Sequence, residues 1–374
     1  MDTITFGDKL RELRTARQLT LRQLADRSHY SRSKLSNWEH NRLPLPSEGE
    51  AAKLDSILDG DGALVATLRT PGLNGAGERI AYVAKHPRAV DTVAVGVLHD
   101  TLAGMRQLED RFGADRLLVM TAEPVRLVEK LADEAVGDIR PAVVDLAGQW
   151  AQFAGWLRAA AGKHGQAHEW YLRALEYAEE VDATSVLPTG RELIATSLSM
   201  RGHLAWSQRK PGPTVGLSAA AAKNSRSPGI RAMACQQGAR GHALLGEAVQ
   251  ADQLLDLAQA AMADAQQHPE KEPPWIYFYS PGYLQMQRGL VASLLGRREK
   301  AIEELTAGLK AAGDDVAGAE FGAKYKLALA SAHLAGGNCD MARSLLEEAR
   351  ATALATGSAD LAGEVAALEA RLSD

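Results

Sequence analysis

The chain has 374 residues, a formal net charge of −5, 46% hydrophobic and 5% aromatic residues, and two cysteines, Cys235 and Cys339. That length allows two or three domains. The acidic balance excludes a general nucleic-acid coating protein, and two cysteines are too few for a disulfide framework or a zinc site. Abundant Ala and few β-branched runs favour helices throughout. No basic-then-apolar leader opens the sequence, and no apolar run approaches the roughly 20 residues that cross a bilayer. The expectation is an all-α, cytoplasmic protein with no membrane, metal or cofactor.

Taken in chain order, the first 45 residues predict three short helices. Apolar residues recur at helical spacing through Phe6, Leu10 and Leu13, then Leu21, Leu24 and Ala25, then Leu35 and Trp38. Thr20 with Gln23 is a T-x-x-Q capping box that opens a second helix, Leu21 to about Ser28. Ser31 is an N-cap for a third helix, Arg32 to about His40. Asn41 can take the left-handed conformation that ends a helix, and Pro44 and Pro46 forbid its continuation. Ser47 with Glu50 opens a fourth helix, and Leu10, Leu13, Leu24, Ala25, Leu35, Trp38 and Leu54 form its shared core. These 45 residues hold nine Lys/Arg and five Asp/Glu, a basic head on an acidic body.

Three helices with a tight connection between the second and third make a helix-turn-helix. The block resembles the Xre family of regulators related to phage Cro and CI repressors, through Phe6-Gly7, Leu10, Leu13-Arg14, Leu19-Thr20, Leu24-Ala25, Ser31-x-Ser33, Leu35-Ser36, Trp38-Glu39 and Pro44. Leu21 departs from the family's frequent Gln, and Asn41 from its usual Gly. The resemblance implies double-stranded DNA as partner, with the third helix in the major groove presenting Arg32, Ser33, Lys34 and Asn37. Arg reads guanine and Asn reads adenine by paired hydrogen bonds. Arg22 and Arg42, with Lys34, are placed for phosphates, which position without specifying.

Further on, a short helix is expected over Ala63 to Leu68. Glycines and Pro71 then predict a flexible linker. The expected domains are a DNA-binding domain at 1–69, a linker at 70–79 and a helical-repeat sensor and dimerisation domain at 80–374. Residues 80–145 are read as helical, with breaks near Pro87, Gly113, Pro124 and Pro141.

Beyond residue 145, one pattern repeats: a Gly, an Ala five residues on, a large residue four further, and a small one three further. Its instances are Gly162/Ala167/Tyr171/Ala174, Gly246/Ala251/Leu255/Ala258, Gly296/Ala301/Leu305/Gly308 and Gly337/Ala342/Leu346/Ala349. The Ala positions lie 84, 50 and 41 residues apart. The long first gap leaves room for a degenerate unit around Arg201 to Ala222. The pattern predicts helical hairpins, each unable to bury its apolar face alone, so neighbours must stack. It resembles tetratricopeptide-type repeats, and the whole predicts an α-solenoid of such hairpins behind a four- to five-helix helix-turn-helix domain.

Five aromatics fall within 275–283: Trp275, Tyr277, Phe278, Tyr279 and Tyr283. They suit an aromatic plug at a repeat junction or one wall of a ligand pocket. Trp150, Phe153 and Trp156 form a second cluster. Gln149, Arg158, Arg201, Gln237, Arg240, Gln285, Arg288 and Lys324 are polar positions within first helices. Arg240 and Arg288 each follow a Gln by three residues and would suit a carboxylate or peptide C-terminus. The candidate ligand residues are thus Arg240, Arg288, Trp275, Tyr279 and Tyr283. His164 and His168 have i, i+4 spacing but no zincin Glu between them, and no Gly-rich phosphate loop occurs, so no enzyme is expected. The expected function is a sequence-specific transcriptional regulator, a homodimer on a palindromic operator, modulated by a peptide or small-molecule effector. The alternative is a repeat adaptor that recruits a protein partner to DNA.

Overall fold

The computed structural model describes residues 6–40, 46–60, 62–68, 76–184, 186–313 and 318–373. Among them every regular element is helical. The chain divides into two compact units, residues 1–97 with 134–139, and residues 98–133 with 140–374.

The first unit begins with α1 (Phe6–Ala16), α2 (Leu21–Ser28), α3 (Arg32–Glu39), α4 (Glu48–Ile57) and α5 (Ala63–Leu68). Both capping boxes form: Thr20 with Gln23 opens α2, and Ser47 with Glu50 opens α4. The Ser31 hydroxyl accepts from Lys34 N–H at the start of α3. Between α2 and α3 the chain reverses through His29, which takes the left-handed conformation at φ 57°. Leu10, Leu24, Leu35, Trp38 and Leu54 are buried together, with Leu13 and Ala25 partly buried at the rim. Phe6, Leu19, Ala51, Leu58 and Leu64 complete this core. Asn41 and Pro44 lie outside the described residues, as does 69–75. A further helix, α6 (Ala76–Lys85), belongs to this unit.

The second unit takes in most of α7 (Thr92–Phe112), followed by α8 (Ala114–Met120) and α9 (Ala122–Glu134). Gly113, at φ 78°, separates α7 from α8. Pro124 and Pro141 sit in first turns, where a missing N–H costs nothing. They therefore start α9 and α10 rather than interrupt a helix.

Five hairpins follow. They are α10 (Arg140–Ala160) with α11 (His164–Thr184), α12 (Thr189–Ser207) with α13 (Pro211–Asn224), α14 (Pro228–Leu244) with α15 (Ala248–Gln267), α16 (Pro281–Leu294) with α17 (Arg298–Ala312), and α18 (Glu320–Ala335) with α19 (Cys339–Thr356). A last helix, α20 (Ala359–Ser373), packs on α18 and α19. Within each pair the two helices pack along their length, and each pair packs on its neighbours.

The repeated pattern is the reason. Gly162, Gly246, Gly296 and Gly337 turn the hairpins at φ 70°, 76°, 70° and 77°, a conformation that costs Gly no side-chain clash. Ala167, Ala251, Ala301 and Ala342 are fully buried five residues later. The large residues Tyr171, Leu255, Leu305 and Leu346 fill the groove. Opposite them the first helices carry little: a Cβ at Gly155 would lie 2.6 Å from the Tyr171 ring, and one at Gly289 2.6 Å from Leu305 Cγ.

The degenerate unit is the α12–α13 hairpin. Arg209 turns it at φ 54° in place of Gly. Thr214, Ser218 and Ala221, all buried, occupy the small, large and small positions. Two carboxylates, Glu192 buried and Glu272 partly buried, tie the starts and ends of these hairpins together. Glu192 accepts from Arg226 N at 2.9 Å and from the Ser225 hydroxyl. Glu272 accepts from Gly229 N at 2.9 Å and from the Ser227 hydroxyl at 2.5 Å.

Candidate functional site

Two surfaces carry chemistry, one in each unit. In the first, Arg32 and Ser33 are exposed at the first turn of α3, and Asn37 stands one turn on from Ser33, half-buried. Four residues along a helix is one face, so Ser33 and Asn37 project together. Arg22 is exposed on the first turn of α2. Lys34 is placed differently. Its ammonium is 2.8 Å from Glu50 Oε1 and sits over the Tyr30 and Trp38 rings at 4.8 and 4.7 Å. That hydrogen bond, with help from Ser47, holds the Glu50 carboxyl below its ordinary value. Arg42 lies outside the described residues.

The frame behind this face is held by Glu39. It is 2% exposed. Arg14 meets its carboxylate through Nε at 2.5 Å and Nη2 at 3.0 Å, and donates Nη1 to Leu19 O at 2.7 Å. Arg11 donates to Glu39 O at 2.8 Å. The Glu39 hydrogen bond outweighs burial and raises the Arg14 guanidinium above its ordinary value. The motif residues Arg14 and Glu39 thus clamp α1 to α3 and fix the angle at which α3 is presented.

The second surface is a cavity in the hairpin stack, about 810 Å³ of empty space that includes open solvent. Its wall comes from the first helices of successive hairpins. Phe153 and Trp156 belong to α10, Met200 and His203 to α12, Gln236 and Gln237 to α14, Tyr283 to α16 and Phe321 to α18. The stretch between α15 and α16 adds Trp275, Tyr277 and Phe278, and α7 supplies Arg106, Glu109 and Asp110. Aromatic rings share this wall with polar side chains, which include Gln152 and Ser199 besides those named.

Burial sets the state of those polar groups. It pushes Glu109 up to about 8, with repulsion from Asp110 and Glu320 adding to it against a hydrogen bond from Trp156. Asp110 is also raised by burial, although it accepts from the Tyr277 hydroxyl at 2.8 Å. Burial and the nearby Arg240 pull His203 down to about 3, so its imidazole is neutral. Arg106, 6% exposed, is lowered to about 10 by the same loss of water.

The predicted ligand residues are divided by this geometry. Trp275 and Tyr283 line the cavity. Trp275 is 4% exposed and its Nε1 donates to Thr196 Oγ1 at 3.0 Å, so it is at once core and wall. Tyr279, 8% exposed, is not part of the cavity wall; it packs edge-on against Phe278 and at a tilt against Tyr283. Arg240 is 2% exposed and stands behind the wall. Its Nε donates to Gln287 Oε1 at 2.7 Å, its Nη1 is 3.2 Å from His203 Nδ1, and its guanidinium lies 4.4 Å from the Trp206 ring centroid. Arg288 is turned to Glu304 and Asp256 at 3.5 and 3.8 Å. The two arginines therefore do not form one groove.

The α7 residues Arg106, Glu109 and Asp110 were not legible as site residues. Their i, i+3, i+4 spacing was a usable signal, but on its own it describes any solvated helix face.

Residues 5–68 match the family described as a helix-turn-helix domain. No curated protein matches the chain. The head is thus of a DNA-binding class, and its match points to a regulator. Among the described residues no helix is long and apolar enough to cross a membrane, and no cluster of three or more His, Cys, Asp or Glu is placed to hold a metal ion.

Proposed function

We propose that this protein is a sequence-specific transcriptional regulator whose operator affinity is set by a small molecule held in the hairpin-stack cavity. The observation that carries the reading is the cavity itself: a space walled by aromatic rings and buried polar side chains, on the first helices of a stack joined to a helix-turn-helix. Concave sites that combine aromatic surface with a few convergent polar groups are where small ligands bind. The scarcity of Asn in the stack, where only Asn224 and Asn338 could clamp a peptide backbone, favours a small molecule over an extended peptide. The stack is read as tetratricopeptide-like, supported by its small residues twelve apart on paired helices: Gly155 and Ala167, Gly202 and Thr214, Ala239 and Ala251, Gly289 and Ala301, Ala330 and Ala342.

On DNA, Arg32, Ser33 and Asn37 read base edges, and Arg22 and Arg42 meet phosphates. Lys34, engaged by Glu50, serves the phosphate backbone at the edge of this face. Arg32→Ala is expected to weaken specific binding by about 1–3 kcal/mol and relax preference at one operator position. Gel shifts against a selected operator and its single-base variants measure both. Deleting residues 1–59 is expected to abolish binding while the hairpin stack stays folded; retained binding to the same operator would overturn the assignment. An operator affinity that no cavity ligand changes would favour the adaptor, in which the stack holds a protein partner.

A further inference from the structure

We infer that the cavity takes a planar aromatic anion, its ring stacked among the aromatic side chains and its carboxylate or phenolate held by Arg106. The inference deepens the effector reading above and rests on it.

Three observations converge. Arg106 lines the cavity, is nearly fully buried, and its Nη2 has no hydrogen-bond partner among the described residues. A guanidinium withdrawn from water without a carboxylate is an uncompensated charge. Its lowered value is offset by Tyr277 alone among its neighbours, and it is still a cation at neutral pH. An incoming anion supplies the missing partner, with the two-pronged geometry that guanidinium favours.

The second observation is on α14. Gln236 Oε1 and Gln237 Nε2 are buried in the same wall without partners among the described residues. They offer one acceptor and one donor side by side, a match for hydroxyl and carbonyl substituents on a ring. The third is the wall: Trp156, Trp275, Phe278, Tyr283 and Phe321 present flat, apolar surface, which suits stacking of a planar ring.

A cation is the competing occupant, because aromatic walls and carboxylates attract cations. Here Glu109 is held protonated at neutral pH, Asp110 is engaged by Tyr277, and His203 is neutral. Arg106, whose Nη2 has no partner among the described residues, is the donor left for an incoming group, and it repels an ammonium.

The test uses the full chain and two probes of equal ring size, 2-naphthoate and 2-naphthylmethylammonium, followed by calorimetric titration. Naphthoate is expected to bind and the ammonium to bind at least tenfold more weakly, a difference of about 1.4 kcal/mol. Arg106→Met is expected to weaken naphthoate by roughly 10- to 100-fold, the range for a charged hydrogen bond. It is also expected to keep or raise the melting temperature, since an unpaired buried charge is removed. Gln237→Leu provides a second variant, with a smaller loss expected.

Ammonium binding equal to or tighter than naphthoate, no naphthoate binding at millimolar concentration, or unchanged naphthoate affinity in a folded Arg106→Met protein would each overturn the inference. A gel shift with saturating naphthoate separates it from the regulatory reading. Naphthoate that binds through Arg106 but leaves operator affinity unchanged keeps the site and removes the regulation.

Discussion

Glu39 illustrates how much of the helix-turn-helix rests on one carboxylate. Its two oxygens each meet an Arg14 nitrogen in a nearly water-free position. Such a pair adds little over an apolar one, but breaking it strands a charge. Glu39→Gln, which keeps the shape and removes the charge, is expected to destabilise the head by about 3 kcal/mol, read as a lower melting transition for the N-terminal unit. An unchanged transition would mean that solvent reaches Arg14. Glu109 gives the opposite case. Its folded value, about 8, lies above the ordinary 4.5. The folded state therefore holds a proton that the unfolded chain has lost, and stability falls as pH rises between those values. Glu109→Gln is expected to flatten that fall and to stabilise the protein near pH 9 by on the order of 2 kcal/mol, reduced from the full shift because solvent reaches the cavity. Parallel melting curves at about pH 5 and about pH 9 check it. A wild type whose stability rises across that window would contradict it. In the sequence Arg14 and Glu39 were motif residues, but nothing there paired them. Glu109 looked like any surface acid, because its desolvation comes from α10 and other elements far along the chain.

Among the elements, the hairpins were read from their second helices. Gly then Ala then a large residue is a local rule: a left-handed turn, a close approach and a filled groove, each satisfied within about a dozen residues. The α12–α13 hairpin was placed only as a gap, since Arg209 makes its turn and Ser218 stands where the others have Tyr or Leu. Gly202 faces Ser218, and a Cβ there would lie only 3.0 Å from Ser218 Oγ, so these two helices approach closely even though the residue in the large position is small. The same geometry separates two glycine substitutions. A Cβ at Gly289 would meet Leu305 Cγ at 2.6 Å and Leu305 N at 2.8 Å, whereas one at Gly216, exposed within α13, would meet nothing within 4 Å. Gly289→Ala is expected to cost about 1–3 kcal/mol by overpacking. Gly216→Ala is expected to gain about 0.5–1 kcal/mol from helix propensity. Denaturant titration of the two variants checks the pair, and a stabilised Gly289→Ala protein would show that these helices can separate cheaply.

For the molecule as a whole, one helix-turn-helix spans only a few base pairs, so useful affinity needs two heads on a two-fold site. A dimer in light scattering, with a footprint of two half-sites about one helical turn apart, is the expected result; a monomer on a single half-site would sink it. Under the proposed regulation, effector and operator are expected to be coupled reciprocally, each shifting the other's affinity, typically by about 5- to 150-fold. Whatever depends on near neighbours in the chain could be read directly. The caps at Thr20, Ser31 and Ser47, the ends of α2 and α5, and the glycine turns of four hairpins are set by interactions within a turn or two. The cavity could not be read that way. It is assembled from α7 and the first helices of five hairpins, spread over more than two hundred residues. Long-range packing turned Arg288 outward to Glu304, put Arg240 behind Trp206 and His203, and left Arg106 in a wall of aromatic rings with its Nη2 unpartnered among the described residues.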